Sequence, residues 1–193
     1  MTPQPESPAG VPRLETDRLI LDAHCPADLE PLASLWSDPA IAAAIGTTPS
    51  TRQESWSRLL RYRGLWPLLG FGYWAIREKP SARYIGDIGF ADFHREYAHL
   101  IEGLPEAGWA LVPSAHGRGL GGEALRAALS WLDARKDLGP AVCLIDAGNL
   151  VSLRLAERNG FRDPVHLDEN GGLLLLTRGA RAALPPGTAA PVA

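Results

Sequence analysis

Apolar and polar positions along the chain switch between a period of two and a period near 3.6, and the switches mark its elements. Arg18 to Asp22 reads as a strand, Pro26 to Ser37 as a helix starting near Ala27 and Asp28, and Thr51 to Tyr62 as a second helix. An apolar stretch, GLWPLLGFG from Gly64 to Gly72, is expected to be a loop. Tyr73 to Glu78, Tyr84 to Phe93 and Glu106 to Val112 follow as strands, separated by turn signals at Lys79-Pro80-Ser81 and Gly103-Leu104-Pro105, so an antiparallel meander is predicted. Gly122 to Ala134 reads as a helix, Ala141 to Ala147 as a strand and Ser152 to Asn159 as a helix stopped by Gly160. Val165 to Leu167 and Leu173 to Arg178 read as a hairpin across Asp168-Glu169-Asn170-Gly171.

This order predicts an α/β (α+β) domain of three layers around a mixed, mostly antiparallel sheet. With 193 residues, 46% of them hydrophobic, the chain can bury a substantial core in one domain, expected to span 13–184 between a flexible lead (1–12) and a flexible tail (185–193). A formal net charge of −3 with no long Lys/Arg run argues against a general nucleic-acid binder. Cys25 and Cys143 are too few for a disulfide framework, MTPQPESPAGVP lacks the charge and apolar core of a secretory signal, and apolar runs such as Leu173 to Leu176 fall far short of a membrane span. Two reduced thiols and a soluble, cytoplasmic chain are expected. Trp36, Trp56, Trp74, Trp109 and Trp131 fall at core-like positions, whereas Trp66, Pro67, Leu68 and Phe71 are expected to line a cleft or a dimer contact. His94 and His99, five residues apart with no Cys or third ligand nearby, argue for a solvated turn over a zinc site, and no metal is expected.

The chemistry concentrates in HGRGLGGEALRAAL, His116 to Leu129. Gly117, Gly119, Gly121 and Gly122 crowd into six residues and give way to a strong helix-former. Glycines admit positive φ and close backbone approach, and a helix N-terminus presents unpaired N–H groups and a partial positive charge, so an anion, and a pyrophosphate in particular, is favoured there. No Lys-Ser or Lys-Thr follows, which excludes a P-loop. Gly117-Arg118-Gly119-Leu120-Gly121-Gly122 contains GxGxxG, with Asp137 and Asp146 near the acidic offset, but the surrounding chain does not repeat βαβ units as a dinucleotide fold does.

The same stretch resembles the [Q/R]xxGx[G/A] loop of the GCN5-related N-acetyltransferases (GNAT), with His116 at the position of the usual Gln or Arg. LETDRLILDAHCPADLEPLASLWSDPAIAAAIG, Leu14 to Gly46, is similar to the opening of the ribosomal-protein N-acetyltransferase (RimJ/RimL-type) subgroup, with Asp22 replacing its usual Arg. NLVSLRLAERNGF, Asn149 to Phe161, is similar to the subgroup's Nxx[SA]xRxxExxGF element. The resemblance implies a sheet splayed between its fourth and fifth strands, with acetyl-CoA as acyl donor and a primary amine as acceptor. It assigns the pyrophosphate to the amides of Gly117 to Gly122, with Leu120 among them and with His116 and Arg118 at the edge. The pantetheine arm falls to backbone groups of Leu111 and Val112, with Asn149 nearby.

Acetyl transfer to an amine needs a base, because the amine, with a pKa near 10, is mostly protonated at neutral pH. It also needs an N–H donor for the oxyanion, and it is helped by a group that receives the thiolate. Glu106, at the start of the strand leading to the glycine turn, is the candidate base, and by resemblance it acts through a water. Asp87 and Asp92 are expected to face solvent. Relatives that use a tyrosine acid carry it where this chain has Ala156; the resemblance to the ribosomal-type subgroup, which uses a serine in this place, implies Ser152 as the candidate contact to the thiol. Asn149 and Ser152 would equally serve to start a helix, Arg154 is expected at the surface, and Gly160-Phe161 is expected to be a helix stop followed by a core aromatic. A monomer and a homodimer both remain open, as does a CoA-binding module without chemistry.

Overall fold

The computed structural model describes residues 10–95, 101–167 and 172–179. Two short strands, β1 (Leu14–Glu15) and β2 (Leu19–Asp22), lead through a 3-10 turn at Pro26–Asp28 into α1 (Leu29–Trp36), α2 (Pro39–Ile45) and α3 (Arg52–Leu69). The meander β3 (Tyr73–Glu78), β4 (Arg83–Ala91) and β5 (Glu106–Leu111) follows, then α4 (Leu120–Asp133), β6 (Ala141–Asp146), α5 (Leu150–Arg158), β7 (Arg162–His166) and β8 (Leu173–Arg178). The described strands form one sheet in the order β1-β2-β3-β4-β5-β6-β8-β7. Every neighbouring pair is antiparallel except β5 and β6.

That parallel pair positions the site. It is in register at Glu106 and Val142 alone, with Val142 N–H donating to the Pro105 carbonyl at 3.0 Å, and beyond this point the strands part toward their C-terminal ends. The predicted splay therefore exists. It lies between the fifth and sixth strands because β1, too short to show in the pattern, shifts the count by one.

Alternation along the strands sends side chains to two apolar layers. Trp74, Ile76, Ile88, Phe90, Ala107 and Leu111 pack with Leu120, Leu125 and Leu129 of α4 and with Ala156 of α5. Tyr73, Ala75, Tyr84, Ala91 and Ala110 face Leu32, Leu35 and Trp36 of α1 and Leu59, Tyr62 and Leu65 of α3. Each large apolar side chain fully buried in these layers contributes roughly 1.5–3 kcal/mol.

Four expectations change. The segment from Gly64 to Leu69 is helix, not loop, since α3 runs on for 18 residues with Pro67 inside its last turn and closes at Gly70, φ +73°. Leu65 and Trp66 continue its buried face, and that packing outweighs the hydrogen bond lost at proline. Trp66 and Phe71 are accordingly core residues, Trp66 meeting Trp74 and Trp131 edge-on at 4.7 and 5.5 Å, and line no cleft. Second, α2 is a helix that the periodicity did not reveal, although its ends are signposted: Asp38 accepts from Ala40 N–H at 2.8 Å, Pro39 opens the first turn and Gly46 ends it at φ +73°. Third, Val11 is fully buried and the Pro12 carbonyl accepts from the Trp74 indole at 2.6 Å, so the folded unit takes in residues expected to belong to the lead. Trp56 is exposed, unlike the other four tryptophans assigned to the core. The turn at 168–171, the tail, His99 and most of the lead lie outside the described residues.

Candidate active site

Glu106 opens β5 on the face covered by α1 and α3, its side chain 8% exposed. The Arg95 guanidinium grips both its oxygens, Nε to Oε2 at 3.0 Å and Nη2 to Oε1 at 2.9 Å. Two residues on, Gly108 meets the close approach that a lone glycine in a strand suggests: a Cβ built there would lie 2.0 Å from the Tyr73 hydroxyl.

On the other face, Ser152 sits in the first turn of α5. Its N–H donates to the Asn149 side chain at 3.0 Å, and its hydroxyl oxygen accepts from the Trp109 indole at 3.3 Å. An acceptor bond at the oxygen leaves the Ser152 O–H free to donate elsewhere. Trp109, a β5 residue absent from the sequence-based candidates, thus bridges the splay; period-two counting from Glu106 would have placed it on the opposite face. Asn149 caps α5 and ties it to α2 through Nδ2, which donates to the Ala44 carbonyl at 2.6 Å. Glu106 and Ser152 share no contact and face opposite sides of the sheet, with the opening between β5 and β6 joining those sides.

Backbone polarity alternates along β5 as well. Val112 N–H donates to Ile85 O at 2.9 Å and its carbonyl accepts from Ala115 at 2.9 Å, so Val112 is turned toward β4 and is committed. Its N–H is thus taken, and the second lone pair of its carbonyl is the group it retains for a pantetheine arm. By the same alternation the main-chain groups of Trp109 and Leu111 face the splay. The Leu111 carbonyl is taken by His116, whose Nε2 donates to it at 2.8 Å, while the Leu111 N–H remains directed at the opening. A carbonyl only accepts, so His116 carries its proton on Nε2. Its ring closes the turn back onto the strand.

The glycine turn is as expected at Gly117 and Gly119 but not at Gly121 and Gly122, which lie inside the helix. Gly117 and Gly119 have φ +69° and +76°, and a Cβ on Gly117 would meet nothing within 4 Å. α4 begins at Leu120, two residues earlier than predicted, and Glu123 N–H donates to Gly119 O at 3.1 Å. The N–H groups of Leu120, Gly121 and Gly122 thus precede the helix's own ladder. The Leu120 side chain is fully buried, which anchors that turn from beneath. Arg118 pairs with Glu78, and its carbonyl accepts from Arg18 at 3.0 Å. Arg18 also binds Glu123, and Arg126 lies beside Gly122. Hydrogen bonds from Arg118 and then Arg83 hold the Glu78 carboxyl below its usual range. For Glu123 burial acts upward, but the bonds from Thr16 and Arg18 outweigh it and the net shift is downward. Arg18 was missed because it stands 100 positions before Arg118, whereas Arg126 lies inside the glycine-turn stretch and was passed over, since only the fold shows its side chain reaching back to Gly122.

Asp87 reverses its expectation. It is fully buried and accepts from the His24 ring at 2.7 Å, the Trp36 indole at 2.9 Å and the Tyr84 hydroxyl at 2.6 Å. Asp92 is also turned inward, accepting from Gly103 N–H at 3.0 Å. Gly160 at φ +90° stops α5 and Phe161 is fully buried, both as expected, and Arg154 is exposed.

An eight-stranded mixed sheet opened between two parallel strands, with a glycine turn and helix N-terminus at the mouth, is the architecture of an acyl-transfer enzyme. Residues 18–162 match the family model described as acetyltransferase (GNAT) domain, and the chain belongs to that family of N-acetyltransferases. A solved structure described as a GnaT-family acetyltransferase from Bordetella pertussis is 32% identical, with TM-score 0.74 over 88% of this chain and all of the other. At 18% identity, two further structures share the fold. One is an acetyltransferase from Salmonella typhimurium that modifies the N-terminal serine of ribosomal protein L7/L12, with TM-score 0.69 over 86% and 97% of the two chains. The other is spermidine N-acetyltransferase from Vibrio cholerae, with TM-score 0.65 over 84% and 94%. No helix among the described residues is long and apolar enough to cross a membrane.

Proposed function

We propose that the chain transfers the acetyl group of acetyl-CoA directly to a primary amine within a ternary complex. The observation that carries this reading is the opening between β5 and β6, with free N–H groups and arginines at its mouth and a carboxylate at its base. The amides of Gly117 to Gly122 and the guanidiniums of Arg18, Arg118 and Arg126 suit a pyrophosphate, and the splay-facing main chain of Trp109 and Leu111 suits an extended amide arm. The acetyl group would then lie in the gap between the two faces. Bound there, the donor supplies a thioester carbonyl.

The amine approaches from the α1/α3 face. Glu106 takes its proton through a water, since a carboxylate held at three points by Arg95 retains a free lone-pair site. The amine nitrogen forms the new N–C bond while the Leu111 N–H steadies the oxyanion. The C–S bond breaks with its electron pair left on sulfur, where the free Ser152 O–H hydrogen-bonds the thiolate, and the second proton released by the acylated nitrogen passes through water to that sulfur, giving the CoA thiol. Holding both substrates in one gap supplies the proximity, and no covalent enzyme intermediate is required.

One observation favours a rival reading, a binding module without chemistry: Arg95 engages both oxygens of the only base offered. A screen of primary amines with free CoA thiol as readout tests the proposal, and Glu106→Gln separates the two readings. Release from at least one amine, lowered about 100-fold in the variant with acetyl-CoA affinity retained, is expected for a general base. An unchanged rate and affinity in Glu106→Gln would remove Glu106 from the mechanism.

A further inference from the structure

Beyond Glu106, the α1/α3 face carries a row of guanidiniums. Arg95 lies over the Phe93 ring at 4.8 Å and Arg61 of α3 over the same ring at 5.2 Å, so the two cations sit within about 10 Å of each other. Phe93 in turn lies against Tyr73, 6.5 Å between ring centres, and Tyr73 stacks on Tyr62 at 4.2 Å. This aromatic row runs along the same face as the candidate base. Arg95 is 44% exposed and paired with Glu106; Arg61 is exposed, lies over the Phe93 ring and, among the described residues, has no carboxylate partner. One turn before it, Arg58 stacks on Trp36 at 3.6 Å and bonds Ser50, and its charge acts on Glu54, which leaves Arg61 as the unpaired cation of the row among the described residues. Among the described residues, two further carboxylates of this region are already bonded. Asp87 is sealed under three donors, and Asp92 is bound by the amides of His94 and Gly103.

A cationic amine arriving at Glu106 therefore competes with Arg95 and meets Arg61, whose charge no carboxylate balances among the described residues. A polyamine or aminoglycoside gains one carboxylate, already shared, and is repelled by two guanidiniums. An acceptor with its own carboxylate close to the amine instead completes the set: its ammonium shares Glu106, and its carboxylate engages Arg61 and the free edge of Arg95, a geometry suited to planar, bidentate pairing. Resting on the N-acetyltransferase reading above, we propose that the acceptor is an amine bearing a carboxylate within a few bonds, and that Arg61 is a specificity-determining residue for it.

The chemistry fits either a free amino acid or a peptide N-terminus with an acidic residue beside it, and the test has an arm for each. CoA release would be followed with alanine against alaninamide, with the peptide amides Ala-Glu-Ala, Ala-Gln-Ala and Ala-Lys-Ala, and with spermidine, for the parent chain and for Arg61→Glu. The expected result is that the carboxylate-bearing member of one arm has a kcat/KM about fivefold or more above its neutral partner, the scale of a partly exposed ion pair. Arg61→Glu should erase or invert that preference while acetyl-CoA affinity stays unchanged, which also shows that the variant is folded. Release from amines with no advantage for carboxylate in either arm, or a preference that survives Arg61→Glu, would overturn the proposal and leave the acetyltransferase reading intact. No release from any amine would overturn both.

Discussion

At the scale of single residues, the site depends on where main-chain groups point as much as on side chains. Gly119 shows this most directly. It caps α4 at φ +76°, where a β-branched residue is strained, and a Cβ there would stand 3.7 Å from the Arg18 Nη2 at the mouth of the turn. Gly119→Val should weaken acetyl-CoA binding at least tenfold, measured by calorimetric titration, because the turn must either strain or rotate its N–H groups away from the anion. Unchanged affinity would show that the amides do not hold the donor. Gly119 was legible in the motif, whereas the turning of the Val112 N–H toward β4 was not, because the side-chain pattern of a strand is visible in sequence and the direction of its N–H groups is not. That direction follows only once the register against β4 is known, through the bond from Val112 to Ile85. Trp109 escaped for a related reason: it became a partner of Ser152 only when α5, 43 positions later, came to lie across the gap.

At the scale of elements, the polar centre at Asp87 joins α1 and the segment before it to the middle of β4. His24 precedes α1, Trp36 ends it, and both donate to one carboxylate that also receives the Tyr84 hydroxyl. Asp87→Ala would leave three buried donors without an acceptor, at a cost of about 3 kcal/mol or more. For a chain of this length that lowers Tm by about 6–12 °C. Thermal unfolding followed by circular dichroism checks it, and a change under about 2 °C would mean that the layer is held by its apolar contacts alone. The strands, the glycine turn and α4 were legible because their periods are local, with helix boundaries off by two residues at Leu120. The C-terminal extension of α3 and the whole of α2 were not. Pro67 and the run GLWPLLGFG look like a loop until Trp66 is seen packed between Trp74 and Trp131. α2, seven residues long, is too short for periodicity to speak and is marked only by its Asp38 cap, Pro39 and Gly46. Asp87 read as a solvent-facing strand residue because its three partners come from three different stretches of chain.

For the whole molecule, the ion pairs that tie the layers together give stability a definite dependence on pH. Glu15 is held below the usual carboxylate range by Lys79 and then Arg13, Glu78 by Arg118 and Arg83, Asp133 by Arg178, and Asp137 down to about 2 by Arg135. These pairs connect β1 to the β3–β4 turn, β3 to the glycine turn, and α4 to β8. In every case the folded chain binds a proton less readily than the unfolded chain, whose values are near 3.8 for Asp and 4.5 for Glu. Their contribution is therefore complete above those values and is lost as pH falls through the depressed folded ones. The alkaline side has the opposite sign. Burial pushes the Cys143 thiol and the Tyr62, Tyr73 and Tyr84 hydroxyls upward, with Asp87 adding to the rise at Tyr62 and Tyr84. The folded chain keeps these protons where the unfolded one, titrating near 9.0 for Cys and 10.0 for Tyr, releases them, so stability falls as pH rises beyond that range. The urea midpoint should form a plateau between about pH 5 and pH 9 and decline on both sides. Added salt should flatten the acid limb more than the alkaline one, because the carboxylate pairs are largely exposed and screened whereas the tyrosines and the thiol are sealed in the core. An alkaline limb with the same salt sensitivity as the acid limb would place the titrating groups at the surface and contradict the burial of Tyr62, Tyr73, Tyr84 and Cys143.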